Sequence, residues 1–116
     1  MSIQRLRTDP RLSEVVIHNG TVYLAGQLDE NLSEGIEAQT RATLDSIDTF
    51  LAEAGTDKSR ILSVTIFLKN IDDRDGMNKV WDAWVPAGQS PARACVEAKM
   101  YSPDLLVEMT VIAALP

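Results

Sequence analysis

Three side chains of this 116-residue chain are suited to bond-making chemistry, and all lie near its C-terminal end: Arg93, Cys95 and Glu108. An arginine presents a planar fork of donors that holds a carboxylate through two bonds, which lysine cannot do as rigidly. A part-buried glutamate can move a proton or hold a water, and a thiolate can attack an electrophile. They sit in the runs Ser90-Pro91-Ala92-Arg93-Ala94-Cys95-Val96-Glu97 and Leu105-Leu106-Val107-Glu108-Met109-Thr110-Val111-Ile112. Read as a closing hairpin, these runs pair so that Ala94, Val96 and Ala98 meet Val107, Met109 and Val111. Alternation then sends Arg93, Cys95, Glu108 and Thr110 to the other face. The tightest register sets Cys95 against Glu108 and Arg93 against Thr110, leaving Arg93 and Glu108 as diagonal neighbours about 7–8 Å apart at the backbone. A small acid and a water would fit between them.

Each residue has a plainer reading beside the chemical one. Arg93 could form an ion pair with Glu97 or Glu108 that only satisfies charge next to an interface, and ion-pair networks resemble active sites at this level. Glu108 could be that structural partner rather than an acid/base. Glu97 competes for the same role but lies nearer the strand end, where solvation is expected. Cys95 lacks an activating base, because the only histidine, His18, sits beside the Asn19-Gly20 turn. It reads better as a small buried side chain whose backbone contacts a ligand. Gly26, before Gln27 at a strand end, would let a backbone N–H approach bound substrate. Asp72, Asp73 and Asp75 are explained by a helix start and show no calcium-loop spacing, and no metal is expected. Trp81 and Trp84 share helical spacing with Met77 and Val80, as core and subunit contacts do.

The elements that must carry these residues follow from pattern. Val15 to Ala25 is two β-rich runs joined by Asn19-Gly20, a dipeptide that tolerates a type I′ turn. Ile36, Thr40, Leu44, Ile47 and Leu51 recur at helical spacing, with Ser33 as the expected N-cap and Gly55 as the stop. Leu62, Val64, Ile66 and Leu68 alternate with Ser63, Thr65 and Phe67, which predicts a strand with one greasier face. A second helix follows and ends at Pro86 and Gly88. A short first strand is expected at Ile3 to Leu6, and the last two strands at about Ala92 to Ala98 and Val107 to Leu115. Strand–helix–strand connections of one hand put both helices on one face. The other face, with Tyr23, Ala25, Thr65, Phe67, Cys95, Thr110 and Ile112, is too apolar to prefer water and is expected to meet another subunit.

Composition narrows the partners. The length suits one domain spanning residues 1–116. A net charge of −6 opposes nucleic-acid and anionic-membrane binding, which need a basic surface. One cysteine excludes an intrachain disulfide and fits a reducing compartment. No run is long and apolar enough to span a bilayer and no signal peptide is evident, so a cytoplasmic protein is expected.

Ala25-Gly26-Gln27 closing the hairpin, Asn78 in the second helix, Pro91-Ala92-Arg93 with Cys95 and Val96, and Val107-Glu108 before a final apolar strand resemble the RidA (YjgF/YER057c/UK114) family, in the same order over nearly the whole chain. The resemblance implies an α+β fold of chorismate-mutase type, a mixed sheet with two helices on one face. It also implies a homotrimer around a central barrel, with ligand sites between subunits. It further implies an enamine/imine deaminase without cofactor, hydrolysing 2-aminoacrylate and 2-iminopropanoate to 2-oxo acids and ammonia. Arg93 would bind the substrate carboxylate, Glu108 would hold the attacking water, and backbone groups at Gly26 and Cys95 would complete the pocket. The alternative is a non-catalytic module that binds or senses small carboxylates. Two positions depart from the pattern: Leu12 stands where active relatives carry a tyrosine, and Ala25 where they carry a small hydroxylated residue.

Overall fold

The computed structural model describes residues 2–116. In chain order the strands and α-helices are β1 (Gln4–Thr8), β2 (Ser13–His18), β3 (Thr21–Gln27), α1 (Ile36–Ala54), β4 (Ile61–Leu68), α2 (Arg74–Trp84), β5 (Ala92–Glu97) and β6 (Val107–Ala114). The six strands form one sheet in the order β1-β2-β3-β6-β4-β5. The turn between β2 and β3 has positive φ at both Asn19 (52°) and Gly20 (76°), as a type I′ hairpin requires.

Helix α1 begins later than its sequence suggests. Ser33 does not cap it: its hydroxyl donates to Asn31 Oδ1 at 2.7 Å, a local turn that competes with capping. Gly35 occupies the cap position without a side-chain bond. The far end matches expectation, with Gly55 left-handed at φ 90° and Thr56 N–H donating to Leu51 O at 3.0 Å, a Schellman closure. Asp73 stands at the N-cap of α2, also without a side-chain bond, so the acids there act through the helix dipole rather than by capping.

Both helices belong to crossovers. The units β3-α1-β4 and β4-α2-β5 each join strands running in the same direction, and β6 lies antiparallel between β3 and β4. The helices pack on one sheet face around Val15, Val22, Leu44, Ile47, Leu51, Val64, Ile66, Met77, Trp81, Met109 and Val111. They approach closely at Gly76, where an added Cβ would lie 2.9 Å from Ile36 Cγ2. The result is a slab measuring 42 × 38 × 20 Å, one helix layer on one sheet. Its other face carries Tyr23, Thr65, Phe67, Val96, Glu108, Thr110 and Ile112, with Tyr23 at 44% and Val96 at 43% exposure. Among the described residues no helix is long and apolar enough to cross a membrane.

The expected β5-β6 hairpin is not formed. Strand β4 lies between the two, parallel to β5 and antiparallel to β6. The physical reason is composition. Ile61, Val64, Ile66 and Leu68 are all buried and suit a central strand. The Ala-rich β5 is mostly exposed and suits an edge.

Candidate functional site

The change of partner reassigns the faces. Arg93 pairs with Val64, Cys95 with Ile66 and Glu97 with Leu68, so all three side chains share the helix-bearing face. Glu108 pairs with Phe67, and Thr110 with Thr65, on the open face. Arg93 and Glu108 therefore occupy opposite sides of the sheet, and the expectation of one shared wall within a single chain is overturned. Cys95 likewise leaves the open face and lies half-buried against the core.

Arg93 is nevertheless held in one orientation. Its Nη1 donates to Asn78 Oδ1 at 2.7 Å, and its guanidinium carbon lies 5.2 Å from the centre of the Trp81 ring, within cation–π range. Trp81 is only 5% exposed and tilts against Trp84 at 5.4 Å between ring centres. Trp84 in turn donates to Asp48 Oδ2 at 3.0 Å, and Lys58 covers its ring. This stack gives the guanidinium a rigid floor. The plainer reading, an ion pair with Glu97 or Glu108, does not occur: Glu97 Oε1 accepts the Ile71 N–H at 3.0 Å. The ion pairs among the described residues join Arg7 to Glu53 and Lys79 to Glu37. Arg93 thus keeps an unneutralised charge and free donors at the surface.

Beside it, β5 presents an unpaired strand edge. Ala98 N–H donates inward to Leu68 O at 2.9 Å, so alternation turns the N–H and C=O of Arg93, Cys95 and Glu97 outward. The backbone at Cys95 can therefore bond a ligand lying along the Arg93 edge.

On the open face, Glu108 leans over Gly26. A Cβ on that glycine would collide with Glu108 Oε2 and lie 3.0 Å from its Cδ. The register of β3 against β6 shifts between Leu24 and Gln27, and this bulge opens the strand where the carboxylate arrives. Gln27 fixes the bulge from behind. It is 3% exposed, its Nε2 donates to Ala25 O at 3.1 Å, and its Oε1 accepts the Ser46 hydroxyl at 2.6 Å. A depression of about 310 Å³ adjoins Glu108, bordered by Phe67 and by the loop that follows β5.

Gln39 is a residue that sequence reasoning missed. Fully buried in α1, it donates to Glu34 O and Asp104 O and accepts the Leu106 N–H, each at 2.9 Å. It ties the β5-β6 loop to the helix layer. A polar residue inside an apolar stripe was the available signal. His18 flanks its turn away from both clusters. Among the described residues no group of three His, Cys, Asp or Glu side chains could hold a metal.

The sheet order and its two crossovers define a two-layer α+β protein of mixed-sheet type. The chain belongs to the Endoribonuclease L-PSP family, whose model matches residues 2–115, and which includes the RutC and YjgF proteins. It is 46% identical over 114 residues to the RutC family protein YoaB of Escherichia coli, covering 98% of this chain and 99% of that one. A RutC family protein of Haemophilus ducreyi is 42% identical, covering 97% of each. A crystal structure of a YjgF-family protein from Neisseria meningitidis superposes with a TM-score of 0.97 at 45% identity, covering 100% of this chain and 97% of that one. The resemblance read from the Arg93 and Glu108 motifs is thereby borne out at the level of family.

Proposed function

We propose that the protein hydrolyses small enamines and imines of 2-amino acids to 2-oxo acids and ammonia, at sites made jointly by adjacent copies in a homotrimer. One observation carries this reading. A free, oriented guanidinium and an open carboxylate stand on opposite faces of one sheet, so a site that uses both has to be completed by a second chain. The uncovered apolar face supports the same assembly, since Tyr23, Val96 and Ile112 gain from leaving water. In the proposed trimer the open faces turn towards a central barrel. Each Glu108 then meets the Arg93 edge of a neighbour.

The chemistry asks little of the protein beyond placement. Arg93 binds the substrate carboxylate through two N–H groups while Asn78 holds a third. The outward backbone at Cys95 and the backbone at Gly26 fix the plane of the imine. Glu108 orients a water against the imine carbon and accepts its proton as the C–O bond forms. With the C=N electron pair moved onto nitrogen, that proton passes there and a neutral carbinolamine results. The same carboxylate then carries the hydroxyl proton to the amine, the C–N bond breaks, and the oxygen closes to the new carbonyl as ammonia leaves. The Cys95 thiol has no part in the step.

A family model described as an endoribonuclease does not redirect this reading. A net charge of −6 and one histidine oppose phosphate binding and phosphodiester chemistry. The single cysteine fits work in a reducing cytoplasm.

Generating 2-aminoacrylate with a pyridoxal-phosphate dehydratase and trapping the surviving imine with semicarbazide tests the proposal. The protein should accelerate imine loss, and Arg93→Ala should remove the effect. No acceleration over buffer overturns it. Calorimetric binding of a 2-oxo acid without turnover would leave the non-catalytic binding module instead.

A further inference from the structure

The loop 98–106 between β5 and β6 is clamped at both ends. Ala98 N–H bonds Leu68 O at 2.9 Å, and Lys69 N–H bonds Leu106 O at 3.0 Å. Lys69 Nζ also caps Pro103 O, and Gln39 holds both Asp104 and Leu106. From this fixed base the loop lifts Tyr101 into solvent at 75% exposure, more than Leu62 at 51% or Ile3 at 48%. An ordered loop that displays an aromatic ring is a candidate contact surface.

The ring does not stand alone. Tyr101 borders the 310 Å³ depression with Phe67, Ala98, Lys99, Met100 and Glu108. Phe67 is directly opposite Glu108 in the β4-β6 register, so its ring neighbours the carboxylate. The lining is therefore apolar on several sides, with one carboxylate and the flexible stem of one lysine. A substrate bearing only a methyl group would leave much of that space to water. A longer apolar side chain would displace the water and gain from each buried carbon.

We propose that Tyr101 is a specificity-determining residue of the Glu108 site, forming with Phe67 the wall on which the substrate side chain packs. The site accordingly favours 2-imino acids with branched or longer apolar side chains over the methyl-bearing one. This inference rests on the imine-hydrolysis reading and names its substrate class. Arg93 fixes the carboxylate end and Glu108 the reacting carbon, so the side chain is the part left to meet the loop.

The stable 2-oxo acid products provide a test that needs no turnover. Calorimetry of the full-length protein with pyruvate and with 4-methyl-2-oxopentanoate compares a methyl with an isobutyl group. Each fully buried methylene strengthens binding about fourfold, so partial burial of three more carbons should give the larger acid an advantage of about tenfold. Tyr101→Ala should cut the advantage to about twofold or less, and Tyr101→Phe should keep it. Tyr101 is exposed, so both variants should fold. An absent preference in the wild-type protein, or one unchanged in Tyr101→Ala, overturns the inference. A second arm measures kcat/KM for imines released from alanine and leucine by an amino-acid oxidase. A Tyr101-dependent binding preference without hydrolysis of either imine would sink the deaminase reading and leave the wall standing. Hydrolysis of both imines with a leucine-to-alanine ratio indifferent to Tyr101 would do the reverse.

Discussion

Glu108 lies across Gly26 so closely that no side chain fits between them, since a Cβ there would overlap Glu108 Oε2. Gly26 has no positive φ, so the constraint is contact rather than backbone strain. The obstructing atom ends a flexible side chain, which can swing aside. Gly26→Ala should therefore fold with little loss of stability while moving the carboxylate away from its water. We expect thermal unfolding within a few degrees of wild type and imine hydrolysis reduced about a hundredfold, the usual effect of misplacing a reacting group by about 1 Å. Unchanged turnover would show that the position of Glu108 is irrelevant.

Arg93 should depend on its shape as well as its charge. Arg93→Lys keeps the cation but loses the fork that serves Asn78 and a carboxylate together, so KM should rise about tenfold or more. Asn78→Ala leaves the fork intact but loosens its aim, and a smaller rise in KM is expected. Steady-state kinetics on both variants would check the order, and equal KM values in Arg93→Lys and wild type would contradict it.

Gln39 should matter to the loop more than its place in α1 suggests. Gln39→Leu removes partners from Asp104 O and Leu106 N–H, and groups left unsatisfied in this way cost roughly 1–3 kcal/mol each. Chemical denaturation should show a loss of about 2–6 kcal/mol, with faster hydrogen exchange at the Leu106 amide. A neutral result would mean that the loop is held by its Lys69 contacts alone.

Asp57 offers a test against pH. Its carboxylate accepts the hydroxyl and the N–H of Ser59 at the turn into β4, which lowers its pKa below the ordinary carboxylate value. The folded state holds this proton less tightly than the unfolded chain. The stabilisation is thus complete above the ordinary carboxylate range and fades as pH falls through the lowered folded value. Asp57→Ala should have a lower Tm than wild type at neutral pH, with the gap shrinking below about pH 4. A gap that persists undiminished into strong acid would contradict the sign.

Local signals carried most of the elements. Asn19-Gly20, the α1 stripe ending at Gly55, and the alternation of Val64, Ile66 and Leu68 each reflect contacts close along the chain, and each reappears in the fold. Strand pairing is a non-local matter, and there the reading failed. Nothing within Ser90 to Ile112 announces that β4, many residues earlier, will insert between β5 and β6. That insertion reverses the side on which Arg93 and Cys95 stand. The residue types around the candidate site were legible because donor forks and carboxylates have few uses; their relative placement was not. The floor under Arg93 was also hidden, because Trp81 and Asn78 become its partners only when α2 packs beside β5. Gln39 showed only as a polar residue in the α1 stripe, and its role was hidden for the same reason, since its partners Asp104 and Leu106 arrive from the loop 98–106.

In the proposed trimer Arg93 and Glu108 act together only across a boundary between chains. The most direct test mixes two inactive variants, Arg93→Ala and Glu108→Gln, unfolds them together and refolds them at equal concentration. In a trimer with sites between neighbours, about a quarter of the sites should combine an intact Arg93 from one chain with an intact Glu108 from the next. Imine hydrolysis should then recover to about a quarter of the wild-type rate per chain. Failure to recover any activity, while wild type refolded in the same way regains its own, would contradict a site shared between chains.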